Sequence, residues 1–255
     1  MPRAQAGGMR TARPAPTLVA VAHGSPEPGA LRSVSALIRL VRAMRPGTRV
    51  ELGHLETDRP LLADTLARLH GDAVLVPLLF GRGYHVKHDI PGVVAQAGHL
   101  NVVTAGSLGP HPLLAEALHS RLAEAGYRRG TAVVLAAAGS RDPESAAGTR
   151  YTARMLSARI GGAPVRPAYA SAAAPTVPLA VEELRAEGHR EVAVASCFVA
   201  PGLFAARCAA AAPGVVAAPL GAHPALARLL LHRYDQARGA RTGPYPPGPV
   251  LAATV

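Results

Sequence analysis

Tryptophan is absent from this 255-residue chain, and aromatic side chains make up only 4% of it. A core must then be built from Ala, Val, Leu and Ile, and binding of nucleic acid by base stacking has almost nothing to work with. Cysteine is nearly absent as well. Cys197 and Cys208 stand alone with no secretory context, which reads as two reduced thiols in a cytoplasmic protein rather than a disulfide framework. Lysine is represented once, by Lys87; every other basic side chain is arginine. No run of about 18 apolar residues occurs, which argues against a membrane span. The opening MPRAQAGGMRTARPAP has no apolar stretch of signal-peptide length. The formal charge of +11 invites an anionic partner, yet the arginines are scattered and form no dense basic run. A small polyanion fits such a diffusely positive surface as well as nucleic acid does, and nucleic acid is not expected here.

What the chain does have is hydrophobic residues, 49% of the total, enough for a core without staples. Short apolar runs alternate with longer helical patterns. Strands are expected at Thr17–Ala22, Arg49–Gly53, Ala73–Leu79, Asn101–Ala105, Thr131–Ala136, Val165–Ala168, Glu191–Ala195 and Gly214–Ala217. Helices are expected at Ala30–Met44, Leu61–His70, His111–Ala125, Ser145–Ile160, Val177–Glu187 and Pro224–Gln236. Strands too apolar for one wet face, alternating with helices, predict an α/β protein with doubly wound parallel sheets. The Pro-rich stretch from Gly239 to Val255 reads as a disordered tail, as do residues 1–16.

An internal repeat organises the chain. AHGSPEP (Ala22–Pro28) returns as AAGSRDP (Ala137–Pro143), VLVPLLFGRGYH (Val74–His85) as AVASCFVAPGLF (Ala193–Phe204), and LGPHPLLAEALHSR (Leu108–Arg121) as LGAHPALARLLLHR (Leu220–Arg233). Two α/β lobes are expected, residues 17–127 and 131–237. Gly, Ser, Pro and apolar positions are shared. The imidazoles are not: Ala138 stands opposite His23, and Phe204 opposite His85. This difference places the chemistry in the first lobe.

His23 follows the first strand, and His85 follows the third after Gly81-Arg82-Gly83. In a flavodoxin-like order strands one and three are neighbours, so both imidazoles would rise at one edge of the sheet, where open α/β folds bind ligands. Two imidazoles with an open coordination sphere suit Fe2+, Co2+, Ni2+ or Zn2+ better than Mg2+ or Ca2+. Glu56, just past the second strand, could take protons or bind metal, or could equally cap a helix or be solvated. Asp89, two residues before Pro91, is read as a helix cap. His88 could be a third ligand or a supporting group, and is read as facing solvent. Arg82 and Lys87 flank the site and could meet substrate carboxylates. Ser25 is placed like a nucleophile, but Ser140 repeats it and GxSxG is missing, so a turn is the more economical role. His111 and His223 recur in the same setting before a helix, which assigns them a structural task.

AHGSPEP, HLETDRP and PLLFGRGYHVKHDIP together resemble the sirohydrochlorin chelatase family, the class II cobalto- and ferrochelatases, in its long form with two fused repeats. The match covers most of the chain. The departures are Pro26, where Arg is common after HGS, and the lost histidines of the second repeat; Arg141 keeps that Arg there. The resemblance implies a metallochelatase with its site in the cleft between two lobes and His23 and His85 as metal ligands. It implies sirohydrochlorin, an octacarboxylate, and Fe2+ or Co2+ as substrates, for sirohaem or cobalamin synthesis, with no cofactor beyond the metal. Ser25, Arg82, Lys87, and arginines such as Arg141 or Arg207 would then face the macrocycle, with His23, His85 and Glu56 as the catalytic groups. The other reading is a metal or tetrapyrrole carrier with the same pocket and no turnover. The chain is expected to act as a monomer or homodimer, away from membranes.

Overall fold

The structure, a computed structural model, describes residues 14–242 apart from residue 213. Two parallel sheets form, one from each repeat. In the first, β1 (Thr17–Ala22), β2 (Val50–His54), β3 (Gly71–Pro77) and β4 (Leu100–Thr104) lie in the order β2-β1-β3-β4. In the second, β5 (Ala132–Ala137), β6 (Val165–Tyr169) and β7 (Val192–Ser196) lie in the order β6-β5-β7. Each opening strand is therefore flanked by the next two, the flavodoxin-like order expected from the sequence. The expected strand at Gly214–Ala217 is reduced to one bridge, Val194 with Val216. All six residues of β1 and of β5 are buried, as strands covered on both faces must be.

Helices fill the crossovers: α1 (Pro28–Met44), α2 (Leu62–Ala67), α3 (Ile90–Ala95), α4 (Pro112–Glu124), α5 (Pro143–Arg159), α6 (Val177–Ala186), α7 (Leu203–Ala210) and α8 (Pro224–Thr242). None of the described helices is long and apolar enough to cross a membrane. Pro28 opens α1, where a missing N–H costs nothing, and Ala30, Val34, Leu37, Ile38 and Val41 form its buried stripe. α7 was not among the expected helices, and α3 was expected only as a helix start at Asp89; both are short and follow glycine-bearing loops. α8 runs on through Thr242, past the point where a disordered tail was expected, while residues 1–13 and 243–255 lie outside the described residues. At the other end Pro16 is anchored, its carbonyl accepting the buried Tyr234 hydroxyl at 2.7 Å.

The two lobes are not packed as the sequential repeat suggests. α4 ends the first repeat but packs on α5 and β7 of the second, whereas α8 ends the second and packs on α1, β3 and β4 of the first. One continuous core results, running from Leu18, Leu37 and Val74 through Leu114 and Leu118 to Leu135, Leu156, Leu226 and Leu230. Arg121 and Arg233, equivalent in the repeat, tie the exchange: Arg121 donates to the Leu220 carbonyl and Arg233 to that of Pro110. Arg45 also pairs with Asp235 across it.

The repeated His111 and His223 do the structural work expected of them. Each Nδ1 accepts the backbone N–H two residues on, from Leu113 and Ala225, both at 3.1 Å, and so caps α4 or α8. An accepting nitrogen must be unprotonated. Burial pushes both imidazoles below their ordinary pKa, helped by Arg233 and His232 at His111 and by Arg121 at His223. A group whose folded pKa is lowered stabilises above its unfolded value and loses that contribution as pH falls through the folded one. Melting temperature is therefore expected to decline below pH 6.5, the ordinary value. The double variant His111→Asn, His223→Asn, which caps without titrating, should show a flatter profile.

Candidate functional site

Residues Ala22, His54 and Pro77 end β1, β2 and β3, and the register Ala22 to His54 and Val21 to Pro77 brings these ends level. The segments that leave them meet. Leu55 N donates to the Ala22 carbonyl and Glu56 N to that of His23, so the turn after β2 is laced to the HGS turn. Gly24 makes this approach possible, with φ +100° and no Cβ to strike the Glu56 carbonyl. Thr57, at φ 62°, turns the chain back towards Pro60, and Ala172 repeats it at φ 56°. That strain belongs to the fold rather than to the site.

After β3 the loop carrying Gly81 and Gly83 feeds a single π-helical turn, His85–Asp89, which runs directly into α3. The wide turn is closed by the Ile90 N–H donating to the His85 carbonyl, and Ile90 is fully buried. Such turns concentrate at functional sites because they re-aim side chains without ending the helix.

The His23 and His85 rings lie edge to face, with centroids 4.5 Å apart and an interplanar angle of 89°. Sixty-odd residues of separation in sequence close to contact because β1 and β3 are adjacent. His85 Nδ1 lies 2.5 Å from Asp89 Oδ2, so its N–H is donated there and Nε2 is left free. His23 Nδ1 faces the Gly24 carbonyl at 3.2 Å and Glu56 Oε1 at 3.3 Å, which likewise leaves Nε2. Imidazole nitrogens bind first-row ions at about 2.0–2.1 Å, and two rings in contact at 4.5 Å are close enough for one ion to be shared.

Both rings are half-exposed, and His85 opens on a cleft of about 430 Å³ with Glu56, His88, Asp89, Val93 and Gln96. Among the described residues no group of three or more His, Cys, Asp or Glu is arranged to hold a metal. Two imidazoles with open positions suit exchange rather than permanent storage.

The other expected residues fall into place differently. Asp89 was read as a helix cap, but it is already helical at φ −68° and ψ −48° and makes no capping bond. The helical path begins at His85, and the Asp89 carboxylate orients that ring instead. His88 is exposed as expected, and its ring lies 4.7 Å from that of Tyr84. Ser25 Oγ accepts the Glu27 N–H at 3.2 Å, and Ser140 Oγ does the same for Asp142 N at 3.1 Å, so both serines build turns. Arg82 and Lys87 were expected to face substrate. They face carboxylates of the second lobe: Lys87 Nζ is 2.5 Å from Asp142, and Arg82 is 3.7 Å from Glu144.

Sequence reasoning passed over Asp58, whose carboxylate receives the Ser25 N–H at 3.0 Å and holds the HGS turn. It also passed over His54, fully buried and bonded through Nδ1 to the Pro60 carbonyl. The repeat carried a further signal. Glu56 is matched by Ser171 across equivalent turns, so all three of His23, Glu56 and His85 are missing from the second copy.

Comparison with known proteins agrees with this layout. The family model CbiX matches residues 17–125 and again 132–237. A sirohydrochlorin cobaltochelatase of Methanosarcina acetivorans is 28% identical over 123 residues, 42% of this chain and 95% of that protein. One from Sulfurisphaera tokodaii is 32% identical over 79 residues, 29% of this chain and 66% of that protein. Among solved structures, SirB from Bacillus subtilis with Fe3+ superposes with a TM-score of 0.71 at 20% identity, covering 88% of this chain and 96% of SirB. CbiX, described as the terminal enzyme for biosynthesis of siroheme in denitrifying bacteria, gives 0.68 at 22% identity, covering 87% and 99%. At these identities the structural matches speak for the fold, and the family model speaks for descent: the chain, through both of its repeats, belongs to the CbiX family.

Proposed function

We propose that this chain is a sirohydrochlorin chelatase, a lyase that inserts Fe2+ or Co2+ into the macrocycle in the course of sirohaem or cobalamin synthesis. The observation that carries the reading is the imidazole pair, 4.5 Å apart with both Nε2 atoms free, in the one repeat that retains it. The names of the curated relatives, sirohydrochlorin cobaltochelatases, point the same way.

Insertion requires two pyrrole N–H protons to leave while the metal exchanges its waters for ring nitrogens. His23 and His85 hold the ion from one side and leave the opposite positions to the macrocycle. Orientation of this kind accounts for several kcal/mol, within the roughly 7–11 open to well-placed reactants. Glu56, on the His23 imidazole and 61% exposed, is the group placed to accept a proton and pass it to solvent. Tyr84 and Leu203, equivalent in the repeat, stand 66% and 61% exposed at the two loop tips with Phe204 beside the latter. We assign them to the faces of the flat ring. With Lys87 engaged elsewhere, the exposed Arg82, Arg141 and Arg207 remain for its carboxylates.

The test is direct. Purified protein is mixed anaerobically with sirohydrochlorin and Fe2+, Co2+ or Ni2+, and the absorbance change is followed against the spontaneous reaction. Turnover above background with Fe2+ or Co2+ is expected. Tight binding of metal and macrocycle with insertion no faster than in buffer would make the protein a carrier instead.

A further inference from the structure

The second lobe has lost its metal histidines, yet it holds the first lobe's metal segment in place. Lys87 lies in the π-helical turn two residues beyond His85, and its ammonium is 2.5 Å from Asp142 Oδ2 and 3.2 Å from Glu144 Oε1. Arg82, on the loop entering that turn, adds a contact to Glu144 at 3.7 Å. The Asp142 end of this clasp is rigid. Its other oxygen, Oδ1, accepts the Glu144 N–H at 2.9 Å as the cap of α5, and its own N–H is bound by Ser140 Oγ. The backbone is fitted to match. A Cβ on Gly81 would lie 2.5 Å from Ser145 Oγ, and one on Gly83 would lie 3.1 Å from Ser140 Oγ.

The repeat gives the comparison that isolates the charges. On the pseudo-equivalent side, Pro201 and Ala206 stand for Arg82 and Lys87, and Glu27 and Gly29 stand for Asp142 and Glu144. Among the described residues that side has no ion pair, and a Cβ placed on Gly29 would meet Pro201 at an ordinary 3.8 Å. Among the described residues the ion cluster is found only where the segment to be held carries His85, and it uses the one lysine of the chain. A compact ammonium can meet two carboxylates through one nitrogen, which a planar guanidinium does less readily.

We infer that Asp142 of the histidine-less lobe is a positioning residue for the metal site: through Lys87 it fixes the turn that sets the His85 ring against His23. The inference rests on the chelatase reading and adds a task for the second repeat. It also makes Lys87 an inter-lobe group rather than a substrate contact, and the two roles separate kinetically.

Asp142→Asn is the discriminating variant, because asparagine still caps α5 and only the charge is removed. Its melting temperature should stay close to that of the parent, and the KM for sirohydrochlorin should be unchanged. The kcat should fall about tenfold, at the lower end of what loss of an orienting partner costs at metal sites. The visible absorption of the Co2+ complex without macrocycle should shift. Lys87→Met should reproduce that pattern. If Asp142→Asn keeps parental kcat and the parental Co2+ spectrum, or if Lys87→Met raises KM alone, the inference is overturned. His85→Ala in the same Co2+ titration keeps the two levels apart. Loss of the spectrum there, with Asp142→Asn unaffected, removes only the clasp; a spectrum untouched by His85→Ala removes the metal site itself.

Discussion

Alanine at His23 or at His85 is expected to return metal insertion to the uncatalysed rate, a loss of more than about a hundredfold, since removing even an orienting partner costs 10–100-fold at metal sites. Each ring supplies one of only two protein nitrogens at the proposed ion, so neither loss has a substitute among its neighbours. Glu56 and Asp89, the carboxylates beside the rings, lie on the Nδ1 sides of His23 and His85, away from the free Nε2 atoms. Asp89→Ala should be milder, about tenfold to a hundredfold. The His85 ring then keeps its nitrogen but loses the 2.5 Å bond that fixes its tautomer and direction. Asp89→Asn should fall between, because an amide oxygen still accepts the Nδ1 proton without the charge. Anaerobic initial rates with Co2+ and sirohydrochlorin, each variant read against the protein-free mixture, give the ranking. Parental rates in both histidine variants would dismiss the site; an Asp89→Ala loss as complete as that of His85→Ala would make Asp89 a ligand rather than an orienter.

Much of this was legible in the chain because the signals were local. TLVAVA between a Pro-rich opening and His23 reads as a buried strand, and β1 has the expected bounds, Thr17–Ala22. The convergence of His23 and His85 followed from one topological rule, that strands one and three are neighbours, and the order β2-β1-β3-β4 obeys it. Where the reading stopped, the determinants were non-local. LGPHPLLAEALHSR and LGAHPALARLLLHR each announce a helix with an apolar face, but nothing in either says which lobe covers that face. The exchange of α4 and α8 is decided by packing across the whole core. Asp-Ile-Pro follows the spelling of a helix start, yet helical geometry begins four residues earlier, so Asp89 was released from capping and turned onto His85. Lys87 reads as a substrate-facing cation because its partner, Asp142, is distant in sequence and belongs to the other repeat.

A pair of glycine substitutions separates what the fold requires from what the site requires. Gly24 and Gly139 occupy the same place in the two repeats, at φ +100° and +91°, and a Cβ on either would lie 1.9 Å from a backbone carbonyl oxygen, that of Glu56 or Ser171. No rotamer relieves a Cβ, so the backbone must move. Left-handed strain of about 1–3 kcal/mol combines with that displacement, and a total near 3 kcal/mol or more is expected for each. At roughly 2–4 °C per kcal/mol for a chain of this size, melting should drop by about 10 °C in both variants. Their activities should then diverge. Gly24→Ala pushes the Glu56 turn away from the residue next to His23, whose carbonyl receives the Glu56 N–H, so the rate per folded molecule should fall well below that of the parent. Gly139→Ala disturbs the matching turn at Ala138, where no imidazole stands, and its rate should fall far less. Thermal unfolding, with rates measured more than about 10 °C below each midpoint, the span of the expected shift, reads both effects. Equal loss of rate in the two variants would show that the second repeat's turn shares in the chemistry after all.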